Sequence, residues 1–288
     1  MSFSAAWLAL REPVDHASRA SDLAAHVKAH FAVRQSIQVV DLGCGSGSNL
    51  RATALLLPDV QAWTLVDYDP ALLEAAANSL KLWADVAEPE TGGLLLSKGT
   101  KRISVRFMQA DLNHELDQAL GIAPDLVTAS ALFDLISANW ISGFARRVAN
   151  LKAAFYTVLT YDGKDAFFPP HPLDPVVIAA FAKHQESDKG FGPAAGPQGA
   201  NALATAFRTV NYQVKESESP WHIGHENAAL ATQLLNGIAA AVSETNAADR
   251  KALNSWLEFR QSQLNSRSAL LLTGHRDTFA IPSGSNPA

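Results

Sequence analysis

Three glycines alternate in the stretch VVDLGCGSGSN, at Gly43, Gly45 and Gly47, directly behind a β-branched apolar run. Glycine at such a place permits positive φ and lets a ligand lie against bare backbone. A helix beginning just after it offers free N–H groups to the same ligand. A ligand-free turn needs fewer glycines than these, so the pattern points to a nucleoside-bearing cofactor. Asp67 ends the next apolar run, AWTLVDYD, where a carboxylate suits ribose hydroxyls. His171, His184, Lys189, His222 and His275 are candidates for removing a proton or anchoring a substrate. Each also has a plain structural reading as a packed histidine or a solvated lysine. Arg11 and Arg19 could reach an anionic group from the N-terminal helical stretch, or Arg11 could simply pair with Asp15 on the surface. Cys44 is the single cysteine, which excludes an internal disulfide and reads as a small buried residue. No close His/Cys set of ligands is present, so no metal is expected.

The elements that must position these residues follow from periodicity. Residues 5–32 have helical spacing interrupted by Pro13, which predicts two short helices or one broken one. IQVVDLG reads as a buried strand ending in a turn. Helix 48–57, strand AWTLVDYD and a helix capped by Asp69 with Pro70 at its first position come next. Residues 88–100 read as a Gly-rich loop. ISVRFMQAD is a third strand, 112–120 a short helix, DLVTASALF a fourth strand, 137–150 a helix and AAFYTVLTYD a fifth strand. This alternation argues a parallel sheet covered on both faces. Beyond it lie a Pro- and Gly-rich connection (163–200), a short helix (202–209), strand YQVKESE, two helices (225–243 and 247–265) and a last strand, TFAIP. The tail SGSNPA reads as disordered.

With these elements in place, four segments resemble the ordered motifs of the class I, Rossmann-like methyltransferases that use S-adenosylmethionine. They are VVDLGCGSG, LVDYD, QADL and DLVTASALF, each at the carboxyl end of a predicted strand. The resemblance covers residues 35–160 well and the rest only as topology. It implies an α/β fold with a seven-stranded, mostly parallel sheet, helices on both faces, the last strand antiparallel, and helical and loop insertions as caps. It further implies that Gly43, Gly45 and Gly47 line the methionine portion of the cofactor and that Asp41 orients them or its amino group. Asp67 would take the ribose hydroxyls and Tyr68 would lie against adenine. Asp111 and Leu112 would bind the adenine edge, and Ala129 and Ser130 would border the sulfonium. Asp111 could also cap the following helix. One domain spans 1–288: a helical cover (1–34), the cofactor core (35–160), a lid (163–200) and a helical insertion (222–270). The lid and the late helices are expected to cap the active site, with Trp221, His222 and the residues around His275 near its edge.

The chain has 288 residues, 48% hydrophobic and 18% charged, with a net charge of −5. That suits a globular protein and argues against nucleic acid as a partner, since no basic stripe appears. The fourth motif reads SALF, not the Asn/Asp-Pro-Pro-aromatic motif of the resembling nucleic-acid amino-methylating enzymes. A small-molecule acceptor is therefore favoured, with a protein side chain as the other choice. No apolar run has the length or flanks of a membrane span or secretory signal, so a cytoplasmic protein with no membrane partner is expected. An alternative is an NAD(P)-dependent oxidoreductase, which shares the glycine turn and Asp67. Ser48 stands where its G-x-G-x-x-G fingerprint needs the last glycine. A third reading is a non-catalytic S-adenosylmethionine-binding protein.

Overall fold

The computed structural model describes residues 3–284. Helix α1 runs from Ala5 to Ser18 and α2 from Ser21 to Phe31. The break falls at Arg19–Ala20, not at Pro13, which α1 carries inside. Pro13 and Ala9, whose carbonyl loses its helical partner, are both exposed, so water can serve the orphaned oxygen. Strand β1 (Ser36–Leu42), helix α3 (Ser48–Thr53) with one 3₁₀ turn, strand β2 (Val60–Asp67) and helix α4 (Pro70–Trp83) follow as the pattern predicts. Asp69 caps α4 by accepting the Ala71 N–H at 2.9 Å.

The expected loop at 88–100 is instead a hairpin, β3 (Val86–Glu90) and β4 (Gly93–Lys98), leading into β5 (Lys101–Gln109). Gly92 and Gly99, both at positive φ, make its two tight turns. Next come α5 (Leu116–Leu120), β6 (Leu126–Ser130), α6 (Ala138–Leu151) and a long β7 (Ala154–Phe168). The connection read as a lid holds the end of β7 and a helix, α7 (Asp174–Gln185), before α8 (Gly199–Thr209). The chain closes with β8 (Tyr212–Glu218), β9 (Trp221–Ile223), α9 (Ala228–Thr245), α10 (Arg250–Asn265) and β10 (Leu270–Pro282). Of the predicted disordered tail, residues 285–288 lie outside the described residues.

The sheet has ten strands, not seven, because the hairpin extends one edge and β9 adds to β10. Its order is β3-β4-β5-β2-β1-β6-β7-β10-β8. Within it, β5, β2, β1, β6 and β7 are parallel, and β10 runs antiparallel between β7 and β8 as expected. Strand residues alternate between two buried layers. Val39, Leu65 and Tyr156 face the layer of α1, α2, α4, α7, α9 and α10, while Val40, Val66 and Phe155 face α5, α6 and α8. Covering both faces is what continuous aliphatic runs require.

Two features set the geometry above the sheet. The β6–β7 pairing ends at Ser130 and Val158, so β7 from Leu159 onward rises past the carboxyl edge. There it pairs with the first half of β10, and this arm carries α7, α9 and α10. A buried knot fixes them: Asp174 binds Arg260 and accepts the Trp256 Nε1–H at 2.8 Å, and Arg260 also donates to the Pro169 carbonyl at 2.6 Å. The second feature is Asp277 in β10, which accepts the Ala20 N–H at 2.9 Å and the Leu159 N–H at 2.8 Å. It thereby fastens the start of α2 to the sheet. Among the described residues no helix is long and apolar enough to cross a membrane.

Candidate cofactor site

The turn from β1 to α3 holds Gly43, Gly45 and Gly47 at φ of +62°, +53° and +75°. All three lie in the left-handed region, where a side chain costs about 1–2 kcal/mol. Space is short as well: a Cβ at Gly45 would sit 2.9 Å from Leu8 Cδ1, and one at Gly43 3.2 Å from Leu132 Cδ1. The turn is held by Asp67 at the end of β2. Its carboxylate accepts the Gly45 N–H at 2.8 Å and the Asp69 N–H at 3.0 Å. Burial raises the Asp67 carboxyl above its usual range, and these two N–H groups pull it back.

A cavity of about 410 Å³ opens over this turn, at the carboxyl ends of β1, β2, β5 and β6. Gly43, Gly45, Asp67, Tyr68, Asp111, Leu112 and Ser130, all singled out in the sequence, line it. Tyr68 is 70% exposed, so it stands at the rim. Asp111 also accepts the Asn113 N–H at 2.9 Å, which closes a local turn; it does not cap a helix, because α5 starts only at Leu116, after Glu115. Asp41, Gly47 and Ala129 lie behind the wall, not on it. Gly47 is the residue preceding α3, and Ala129 is fully buried in β6. Asp41 is buried beneath the turn, where Asn49 Nδ2 donates to it at 2.7 Å and its other oxygen has no hydrogen-bond partner among the described residues. Burial pushes its carboxyl up to about 7. Cys44 is buried, and its thiol is pushed well up by burial and the nearby carboxylates, which suits a packing role.

Helix α1 forms the cover. Leu8, Arg11 and Asp15 line the cavity. Polar contacts hold α1 onto α3. Arg51 Nε donates to Glu12 at 2.8 Å, and His16 Nε2 lies 2.9 Å from Ser48 Oγ. Arg19 donates to Asn49 and Thr53 at 2.9 Å each, so it braces the cover and does not reach the cavity. Arg11 does reach it. Its pairing with Asp15, at 2.8 Å, is buried and not a surface contact. Its guanidinium lies 4.9 Å from the centre of the Trp221 ring, and Trp221 Nε1 donates to Asp15 at 3.0 Å.

The histidine candidates stand elsewhere. His171 accepts the Leu173 N–H at 3.1 Å and packs on Phe259. His222 faces a separate surface depression beside Pro13 and Pro220. His184 pairs with Glu244 at 3.1 Å, and Lys189 donates to Ser187 at 2.7 Å. His275 is buried in β10, with ring centres 5.0 Å from Trp221 and 6.3 Å from Tyr161. Burial and the Arg11 charge hold it neutral, down to about 3. The late helices α9 and α10 do not line the cavity, because they pack on the arm. From the connection after β7, Gly190 and Phe191 reach the wall. Two acids near the site give little sign of that placement in the sequence. Asp15 reads as half of a helical pair, and Asp134 sits in an apolar run, SALFDLI, that gives no sign of its acid's neighbours.

The fold has solved counterparts. The chain is similar to a candidate methyltransferase of Bacillus halodurans, at 11% identity and TM-score 0.51, over 92% of this chain and all of that one. It is similar also to the YcgJ protein of Bacillus subtilis, at 14% identity and TM-score 0.50, over the same shares. No protein-family model and no curated protein matches it. At these identities the likeness defines an α/β Rossmann-like fold.

Proposed function

We propose that the chain is an S-adenosylmethionine-dependent methyltransferase of the class I type, acting on a small-molecule acceptor. One observation carries this reading: a glycine turn with three positive φ angles, clamped by Gly45 N–H to Asp67, at the carboxyl edge of the sheet. The cavity's residue types fit the cofactor. Gly43 and Gly45 present backbone where a Cβ would collide, and Asp67 keeps lone pairs free for ribose hydroxyls. Leu72, Leu112 and Tyr68 offer apolar surface for adenine, with Asp111 for its amino group. Arg11 offers a cation to the amino-acid carboxylate, and the buried Asp41 carboxyl lies beneath the turn. When bound, S-adenosylmethionine supplies an electrophilic methyl group on a good leaving group. The chain's share of the work is then to align, to exclude water and to manage a proton. A cavity covered by α1 and small beside a macromolecule supports a small acceptor.

The test is calorimetric titration of the purified protein with S-adenosylmethionine, S-adenosylhomocysteine and NAD. Micromolar binding of both sulfur nucleosides, with none for NAD, supports the proposal. Binding of NAD alone overturns it in favour of hydride transfer.

A further inference from the structure

Two segments cover the cavity, and they are held with unequal strength. Helix α1 lies over one side, fixed to α3 by Arg51 with Glu12, by His16 with Ser48, and by Arg19 with Asn49 and Thr53. The other cover is a strap, residues 187–193, between α7 and α8. Its base is closed by the Ala194 N–H, which donates to the Glu186 carbonyl at 3.1 Å. Just beyond, the Ala195 and Gly196 N–H groups donate to the Ile136 and Asp134 carbonyls at 2.8 and 2.9 Å, so the base is anchored to the loop before α6. The strap is an Ω-like excursion from that fixed base. Ser187, Asp188, Gly190 and Pro193 are exposed. Gly190 and Gly192 sit at φ of +107° and +77°, and a Cβ at Gly190 would meet nothing within 4 Å.

The contacts of Asp188 with the Gly190 N–H and of Lys189 with Ser187, at 2.7 Å each, stay inside the strap. Among the described residues, one hydrogen bond ties its tip to a distant element: Asn113 Nδ2 donates to the Gly190 carbonyl at 2.7 Å. A ring contact seats it, with Phe191 edge-on to Trp140 at 5.6 Å between centres, and Trp140 stacked on Phe144 at 5.4 Å. Gly190 and Phe191 line the cavity, and Asn113 directly follows Asp111 and Leu112, the pair fitted to adenine. The strap therefore crosses the cavity at its adenine end. A neutral hydrogen bond beside water shifts an equilibrium by only about 2- to 10-fold, so the strap gives way before α1 does.

We propose that this strap is the door for the nucleoside: it swings from its base to admit the cofactor and closes with Phe191 against the adenine, the Asn113–Gly190 bond being its latch. This rests on the methyltransferase reading. Phe191 is thereby a cofactor-binding residue, delivered from the connection after β7 and outside the four ordered segments. Opening the strap leaves α1 and the glycine turn in place, so the door and the clamp at Asp67 work independently.

The test is hydrogen exchange on the full chain with and without S-adenosylhomocysteine, together with stopped-flow dissociation of the same nucleoside from wild type, Asn113→Ala and Phe191→Ala. The amides of 187–193 should exchange severalfold more slowly in the complex, while the β3–β4 turn at Gly92, which lines no part of the cavity, should not change. Asn113→Ala should release the nucleoside about 2- to 10-fold faster. Phe191→Ala should weaken its binding about 5- to 100-fold, the worth of a base–aromatic contact. Unchanged exchange across 187–193 overturns the door, and wild-type release from both variants overturns the latch and the adenine contact. In either case binding of S-adenosylhomocysteine leaves the cofactor reading intact. Failure of the wild-type chain to bind it overturns the two together.

Discussion

Replacing Asp67 by alanine separates support of the glycine turn from binding of a ligand. In the folded chain the carboxylate accepts two backbone N–H bonds, from Gly45 at 2.8 Å and Asp69 at 3.0 Å. Bonds to a charged acceptor are each worth about 1.5–3 kcal/mol at best. Two facts discount this sum: Asp67 already bears a desolvation cost, and both N–H groups lie beside a cavity that water can enter. The net loss of stability should be about 1–2 kcal/mol, a fall in Tm of about 2–8 °C for a chain of this size. Loss of the ribose contacts should weaken S-adenosylmethionine by a further 2–4 kcal/mol, roughly 30- to 1,000-fold in Kd. Asp67→Asn keeps one acceptor oxygen and should fall between. Urea denaturation and calorimetry on the same three proteins give both quantities. Unchanged affinity in Asp67→Ala, with the stability loss present, would refute the ribose assignment and leave Asp67 as a clamp alone.

Other outcomes follow from the same geometry. Gly45→Ala combines a left-handed residue with a Cβ 2.9 Å from Leu8 Cδ1, and should cost about 1–2 kcal/mol of stability. Adding Leu8→Ala should leave the backbone part but relieve the contact part, so a double-mutant cycle that shows no coupling refutes the close approach of α1. Asp174→Ala strands Arg260, which is 1% exposed, and should destabilise by about 3–5 kcal/mol in urea, whereas an exposed pair such as Arg147–Asp117 should contribute under about 1 kcal/mol. His275 is neutral when folded and free to charge when unfolded, so the unfolded state binds more protons below about pH 6.5. Its contribution to stability therefore falls as the pH drops. The stability deficit of His275→Leu relative to wild type should shrink by roughly 1.4 kcal/mol for each pH unit below 6.5, and a deficit constant from pH 7 to 5.5 would count against a neutral buried ring.

The parallel half of the fold was legible because its signals are local. Aliphatic runs such as Val39–Leu42 need cover on both faces, and Asp69-Pro70 starts a helix by its own chemistry. The β3–β4 hairpin was hidden because Gly92 and Gly99 read as loop residues, although the six residues between them, GLLLSK, are the span of one short strand. Pro13 misled because its effect depends on whether the orphaned carbonyl meets water, a property of tertiary placement. The cavity wall from Gly43 to Ser130 follows from ordered segments on successive strands. The cover does not. Arg11 and Asp15 come from α1 and Trp221 from β9, and only tertiary packing brings the Arg11 guanidinium within 4.9 Å of the Trp221 ring.

The tie between Asp277 and Ala20 joins positions 257 residues apart. It makes the order of assembly matter. During synthesis the parallel strands between residues 36 and 168 can pair while later segments are still unmade, but the tie at the start of α2 waits until β10 emerges. Closing so long a loop carries the largest entropic cost and is repaid last. The contacts of α1 with α3 lie within residues 12–53 and can form early, so the glycine turn gains its cover before the seat of α2 on the sheet is complete.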